Sequence, residues 1–128
     1  MRIISFSKKW GKLQQPEFTT FRFPRKDKDW YVGEVVQVFY KNRSKNREFL
    51  GVAKIKNKEP RAMGRLGDKT GCQHVTNEEA IAGGFPGTEV KRGYFHMWEF
   101  LWGYYGGERL LNEPMNKLTV KWLPISKG

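Results

Sequence analysis

Cysteine is almost missing from this sequence. Cys72 is the only one, and the chain has just two histidines. A single thiol excludes an intramolecular disulfide and any zinc site built from several cysteines. Cys72 and His74 are near neighbours, but no recognisable ligand pattern completes a tetrahedral set with them. We therefore expect no metal or other cofactor, and a reducing compartment, the cytoplasm.

Long apolar runs are also missing. No segment has the length of a membrane-spanning helix. The first residues lack the apolar stretch and the cleavage site of a secretory leader. The sequence therefore predicts a cytoplasmic protein without a membrane partner.

Acidic residues are scarce relative to basic ones. The chain has 24 Lys and Arg against 13 Asp and Glu, for a net charge of +11 and a pI near 9.9. Such a surplus favours a polyanionic partner. RNA is the predicted partner, with single-stranded DNA as an alternative, and nothing in the pattern indicates an oligomeric state. A lysine-rich protein without a charged partner is the other interpretation.

The apolar content supports one folded domain. With 128 residues, 38% of them hydrophobic and 15% aromatic, the chain can bury a core. We predict a single domain over residues 1–128. β-branched and aromatic residues at alternating positions predict strands. These cover residues 2–6, 18–23, 34–40, 49–56 and 118–123, and residues 59–75 are predicted to be loop.

Two helices are predicted in the second half of the chain. Thr76 and Glu79 have the spacing of a capping box, in which each side chain binds the other residue's backbone amide. A longer helix is predicted from about Thr88 to Tyr105, because six apolar positions share one face at the helical period. These are Tyr94, Met97, Trp98, Leu101, Trp102 and Tyr105.

The order of these segments resembles the ASCH family. The resemblance rests on short motifs spread over nearly the whole chain: Ile3-Ile4-Ser5-Phe6, Thr20-Phe21-Arg22, Gly33-Glu34-Val35, Gly51-Val52-Ala53, Val75-Thr76-Asn77-Glu78-Glu79-Ala80 and Leu118-Thr119-Val120-Lys121-Trp122. It implies an α+β fold, a PUA-like mixed β-barrel flanked by two or three helices. It also implies RNA-related work, either RNA binding or hydrolysis.

The match to the enzymes of that family is incomplete. Their motif reads approximately Gly-x-Lys-Thr-x-Thr-x-Arg, and Thr20 and Arg22 agree with it. Gln15 replaces the glycine and Glu17 replaces the lysine. The family's later carboxylate would fall near Gly83, which has no side chain. A threonine hydroxyl needs a base to become a nucleophile, so the sequence favours a binding protein over an enzyme.

The predicted function is recognition of a structured or modified RNA through a basic cleft. Thr20 and Arg22 would line this cleft, and Trp10 would stack on a base. The predicted phosphate contacts are Lys8, Lys9, Arg25, Lys26, Arg43 and Lys45. The alternative is a hydrolase of the cytidine-deacylating type or a ribonuclease, with Thr20 as the key hydroxyl and Glu17 as its base. A basic protein-interaction adaptor is a third possibility.

Overall fold

One five-stranded sheet and three short α-helices make up the described part of the chain. The computed structural model describes residues 1–7, 10–25, 27–63, 72–85, 87–88 and 92–124. The strands are β1 (Arg2–Phe6), β2 (Glu17–Arg22), β3 (Val35–Tyr40), β4 (Glu48–Arg61) and β5 (Met115–Trp122). The helices are α1 (Asn77–Ala82), α2 (Gly93–Tyr105) and α3 (Gly107–Asn112), and a 3₁₀ turn spans Gly11–Gln14.

The sheet is mixed and open. Its strand order is β1-β3-β4-β5-β2. β1 pairs with β3 in parallel, and the remaining pairs are antiparallel. The predicted α+β class with two or three helices is therefore confirmed.

The sheet does not close into the predicted β-barrel, because β1 and β2 are the two edges of the sheet and share no backbone ladder. Side chains fill the space between them instead. The rings of Phe6 and Phe18 meet edge to face, with 5.9 Å between centroids. Arg22 reaches across to the Ser5 carbonyl, with 2.9 Å from Nη2 to the oxygen.

β4 extends beyond its predicted end, from residue 56 to Arg61. The pairing with β5 shifts register between Ile55 and Asn57. Such a bulge breaks the alternation of inward and outward side chains. The ladder nevertheless continues to the pair of Arg61 with Met115. The first residues of the predicted loop are therefore strand, and residues 64–71 lie outside the described residues.

Two hydrophobic cores flank β2. The sheet core consists of Ile4, Phe6, Phe18, Trp30, Val36, Val38, Ala53, Ile55, Leu118 and Val120. The helix core consists of Phe21, Phe23, Met63, Val75, Ala80, Phe85, Met97, Leu101, Leu110 and Met115. Alternation along β2 sends Phe18 into the first core and Phe21 into the second. Trp10 packs against both.

The apolar face of α2 is partly confirmed. Met97 and Leu101 are buried, as predicted, but Trp102 is 44% exposed. The helix begins at Gly93 and ends before Gly106, whose φ of 89° favours glycine. The predicted start near Thr88 is wrong, because Thr88 is not helical.

The predicted capping box at the start of α1 is confirmed. Thr76 Oγ1 accepts from the Glu79 amide at 3.1 Å, and the Glu79 carboxylate accepts from the Thr76 amide at 3.0 Å. Glu79 also accepts from Arg61 and Lys117, both at 2.9 Å. Burial opposes the charge, but the hydrogen bonds from Arg61 and Lys117 lower the pKa of Glu79 to about 2. This carboxylate therefore ties α1 to β4 and β5.

Among the described residues, none of the helices has the length and apolar character that crossing a membrane requires. The same ranges contain no group of three or more His, Cys, Asp or Glu side chains placed to hold a metal ion.

Candidate functional site

A small cavity lies between the two edge strands and α2. We call it the edge cavity; its polar side chains include Lys12, Thr20 and Arg22, and its aromatic walls include Trp10, Phe100 and Tyr104. Its volume is about 50 Å³. The cavity exists because the sheet stays open at this point.

Arg22 occupies the floor of the edge cavity at the end of β2. Its Nε donates to Thr20 Oγ1 at 3.1 Å, and its Nη2 donates to the Ser5 carbonyl at 2.9 Å. The guanidinium carbon lies 4.7 Å from the centre of the Phe6 ring. Burial lowers the pKa of Arg22, with an opposing effect from Tyr105. An arginine stays protonated at neutral pH despite such a shift.

Lys12 is a second cation in the same cavity. It projects from the 3₁₀ turn, and its Nζ donates to the carbonyls of Thr19 and Gly83, both at 2.7 Å. Burial, reinforced by the charge of Arg22, lowers the pKa of Lys12 to about 7. None of the described residues supplies a carboxylate that pairs with either cation.

Sequence reasoning missed Lys12. The family motif directs attention to position 17, and nothing local distinguishes Lys12 from the other cations of its basic segment. Lys12 reaches the cavity because the 3₁₀ turn folds back beside β2 and meets the end of α1 at Gly83. One signal was present in the sequence. The comparison with the ASCH motif places the family's carboxylate near Gly83, and the backbone carbonyl of Gly83 accepts a hydrogen bond from Lys12.

Thr20 and Glu17 are not brought together. Thr20 is 4% exposed and lines the edge cavity. Glu17 is exposed at the start of β2 and pairs with Lys56 at 2.5 Å. The hydrogen bond from Lys56 lowers the pKa of Glu17, which makes this carboxylate a weaker base. The predicted pairing of Glu17 with the Thr20 hydroxyl has no support in this placement.

Trp10 lines the edge cavity as a packed side chain. Its ring meets Phe85 and Phe100 edge to face, with centroids 5.3 and 5.6 Å apart. A Cβ at Gly84 would lie 2.6 Å from the indole. Trp10 thus forms a wall at the junction of the two cores, and its stacking on a base stays a prediction.

A larger groove continues from the edge cavity along β1. We call it the basic groove; it shares Ser5, Arg22, Tyr104 and Tyr105 with the cavity. Its volume is about 1040 Å³, which is large enough for a sizeable ligand. Four further arginines line it: Arg2, Arg25, Arg43 and Arg109.

Two predicted phosphate contacts and one predicted cleft residue lie on one surface. Arg22, Arg25 and Arg43 all line the basic groove. Arg25 forms an exposed ion pair with Asp27 at 3.6 Å, a contact of little energetic weight. Lys45 is exposed in the turn after β3 but does not line the groove. Lys8, Lys9 and Lys26 lie outside the described residues.

The arrangement is suited to an anion. It offers an ammonium group, a guanidinium group and a hydroxyl in one small cavity, beside aromatic rings and an arginine-lined groove. Charge-assisted hydrogen bonds from such donors are the strong ones in recognition of phosphate and carboxylate. No protein-family model, no curated protein and no solved structure matches the chain.

Proposed function

We propose that this protein binds RNA through the edge cavity and the basic groove. The observation that carries the proposal is the pair of half-buried cations, Lys12 and Arg22, without a carboxylate partner among the described residues. Burying charge without an opposite charge is costly. A phosphate group bound beside the two cations would reduce that cost.

Two further features support RNA as the source of the phosphate. Arg25 and Arg43 line the basic groove, and their charges would attract a sugar–phosphate chain that leaves the cavity along it. The rings of Tyr104 and Phe100 stand at the cavity wall, and aromatic side chains beside cations suit unpaired bases. The resemblance to the ASCH family and its PUA-like domains points to the same class of partner and is part of this proposal.

Fluorescence anisotropy tests the proposal directly. We expect a labelled single-stranded RNA of about ten nucleotides to bind, with a log–log salt slope of roughly −0.7 for each phosphate neutralised. The matched DNA and a double-stranded RNA distinguish among nucleic acids. Arg22→Gln should weaken binding strongly, whereas Lys54→Ala removes an exposed cation outside the groove and should have little effect. Absence of binding to any nucleic acid at low salt would refute the proposal.

A hydrolase acting on an acylated cytidine is the second candidate. The observation that favours it is the pKa of Lys12, lowered to about 7 by burial and by Arg22. At neutral pH a sizeable fraction of this amine is uncharged and can accept a proton. Thr20 lines the same cavity, so Lys12 replaces Glu17 as the proposed base for its hydroxyl.

Turnover of an N4-acylated cytidine separates the two candidates. An enzyme should release free cytidine at a rate that both Thr20→Ala and Lys12→Met abolish. The rate should rise as the pH increases through about 7, because the neutral amine is the active form. RNA binding without any turnover would rule out the hydrolase and leave RNA binding as the only proposed function.

A further inference from the structure

The two cations of the edge cavity differ from the buried Arg61 in having no carboxylate partner among the described residues. Arg61, by comparison, is buried but forms an ion pair with Glu79 at 2.9 Å. Lys12 and Arg22 have backbone and hydroxyl oxygens as partners and no carboxylate among the described residues. The cavity therefore carries more than one uncompensated positive charge when both groups are protonated. A doubly charged anion matches it better than a singly charged one.

The hydrogen-bond inventory shows which donors remain for a ligand. A protonated lysine has three N–H donors, and Lys12 uses two on the carbonyls of Thr19 and Gly83. Arg22 uses Nε and Nη2, which leaves Nη1 without a partner in the described structure. Thr20 Oγ1 accepts from Arg22, so its own hydroxyl hydrogen remains to be donated. Three separate groups thus each retain a donor.

Size restricts what can reach these donors. The edge cavity measures about 50 Å³, the space of one or two water molecules. A base or a sugar does not fit, but the oxygens of a small anionic group do. The basic groove, which shares Arg22 and Tyr104 with the cavity, is roughly twentyfold larger by the same measure. A ligand that fills both must place a small charged end in the cavity.

We propose that the edge cavity binds the terminal phosphomonoester of a nucleic-acid strand while the adjoining nucleotides lie in the basic groove. A terminal phosphate carries about −1.5 to −2 charges at neutral pH and three acceptor oxygens. These match two cations and three open donor groups. An internal phosphodiester has only one negative charge. The strand also continues from it in two directions, for which the small cavity has no room. The inference rests on the proposed RNA-binding function.

Three RNAs of one sequence test the inference in the unaltered protein. One carries a 5′-phosphate, one a 3′-phosphate, and one has hydroxyls at both ends. We expect one phosphorylated form to bind at least about tenfold more tightly than the hydroxyl form, and the better form identifies the end that is recognised. Inorganic phosphate and a nucleoside monophosphate should compete with that form, the monophosphate more strongly, whereas the unphosphorylated nucleoside should not.

Two variants connect the preference to the cavity. Lys12→Met should bring the ratio of the affinity for the better phosphorylated RNA to the affinity for the hydroxyl RNA close to one. Thr20→Val, which keeps the β-branched shape and removes only the hydroxyl, should reduce the ratio by a smaller factor. Lys54→Ala removes an exposed cation of β4 outside both the cavity and the groove, and the ratio should be unchanged. Circular dichroism shows whether each variant is folded.

The outcomes separate this inference from the function on which it rests. Equal affinity for all three RNAs would refute terminal recognition and leave RNA binding intact. A ratio that survives Lys12→Met in a folded variant would also overturn it, since the preference would then arise elsewhere. Binding of a nucleoside monophosphate without binding of any RNA would overturn the RNA function while supporting the cavity as a phosphomonoester site.

Discussion

Arg22 on one edge of the sheet donates to the carbonyl of Ser5 on the other edge, with 2.9 Å between Nη2 and the oxygen. A side chain thus joins two strands that no backbone ladder connects. The same guanidinium is a cation of the proposed binding site. The contact that holds the edges together therefore also forms the floor of the cavity.

Arg22→Ala should weaken RNA binding far more than Lys45→Ala. Loss of a charge-assisted contact in an enclosed site costs roughly 1.5–3 kcal/mol. Lys45 is an exposed turn residue outside the groove, and its loss should cost less than about 0.5 kcal/mol. Anisotropy titrations measure the affinities, with circular dichroism to confirm that both variants fold. Equal, small losses would leave only a diffuse basic surface.

Thr19 and Thr20 offer a matched pair on β2. Thr20 Oγ1 accepts from Arg22 at 3.1 Å. Thr19 Oγ1 is buried without a hydrogen-bond partner among the described residues. Thr20→Val should lower the unfolding free energy by about 1–3 kcal/mol, because it leaves a buried donor unsatisfied. Thr19→Val removes an unsatisfied hydroxyl and should be neutral or stabilising. Urea denaturation compares them, and the reverse order would contradict the assigned hydrogen bonds.

Alanine substitutions at Gly84 and Gly33 distinguish the cost of backbone strain from the cost of a steric clash. Both glycines have positive φ, 108° and 93°. A Cβ at Gly84 would lie 2.6 Å from the Trp10 ring, whereas one at Gly33 would meet nothing within 4 Å. Gly33→Ala should cost only backbone strain, about 1–3 kcal/mol. Gly84→Ala should cost more and displace Trp10, which a shift in tryptophan fluorescence would report. Equal costs and unchanged fluorescence would argue against the packed position of Trp10.

The lowered pKa of Glu79 predicts how the stability of the folded protein changes in acid. Its pKa is about 2 in the folded protein, where Arg61 and Lys117 outweigh the effect of burial, against an ordinary value of 4.5. The unfolded chain therefore takes up the proton first as pH falls. The stabilisation is complete above about 4.5 and is lost towards 2, a change of about 3 kcal/mol. Denaturant titrations across this range should show a flatter profile for Glu79→Gln.

The lowered pKa of Lys12 predicts a gain of stability in base, so the slope of stability with pH has the same sign as the slope that Glu79 gives in acid. Burial, with Arg22, lowers its pKa to about 7 from 10.5. Below 7 both the folded and unfolded chains carry the proton, so the folded protein bears the full cost of the buried charge. Between 7 and 10.5 only the unfolded chain keeps it, so this group adds stability as pH rises, by at most about 1.4 kcal/mol per pH unit. Denaturation of Lys12→Met beside the unaltered protein should show the smaller slope.

Local patterns in the sequence predicted much of the fold. Alternation predicted β1, β2 and β3 to within a residue or so of their observed ends, and the capping box at Thr76 placed the start of α1. The pattern failed where tertiary pairing overrode it. The bulge after Ile55 interrupts the alternation while β5 continues to hold β4. No local signal shows that two edge strands will stay apart, so the open sheet was missed.

The site was predicted only in part for a related reason. Thr20 and Arg22 were predicted as cleft residues because they match the motif of the ASCH family, and both line the edge cavity. Lys12 was missed because the carbonyls that hold it belong to Thr19 and Gly83, and Gly83 is distant in the chain. Burial, which shifts its pKa, is a property of the assembled cavity and leaves no trace in the basic segment around it.

The pairing of β2 with β5 determines when the proposed binding site can assemble during synthesis. Glu17 is opposite Lys121 in that ladder, and Arg22 is opposite Asn116. About a hundred residues separate these partners along the chain, and contacts between such distant segments form slowly. During synthesis β1 can already pair with β3 while β2 still lacks its neighbour. A nascent chain should therefore form the β1–β3 part of its sheet before the proposed site is complete, and the site should be completed only when β5 docks against β2.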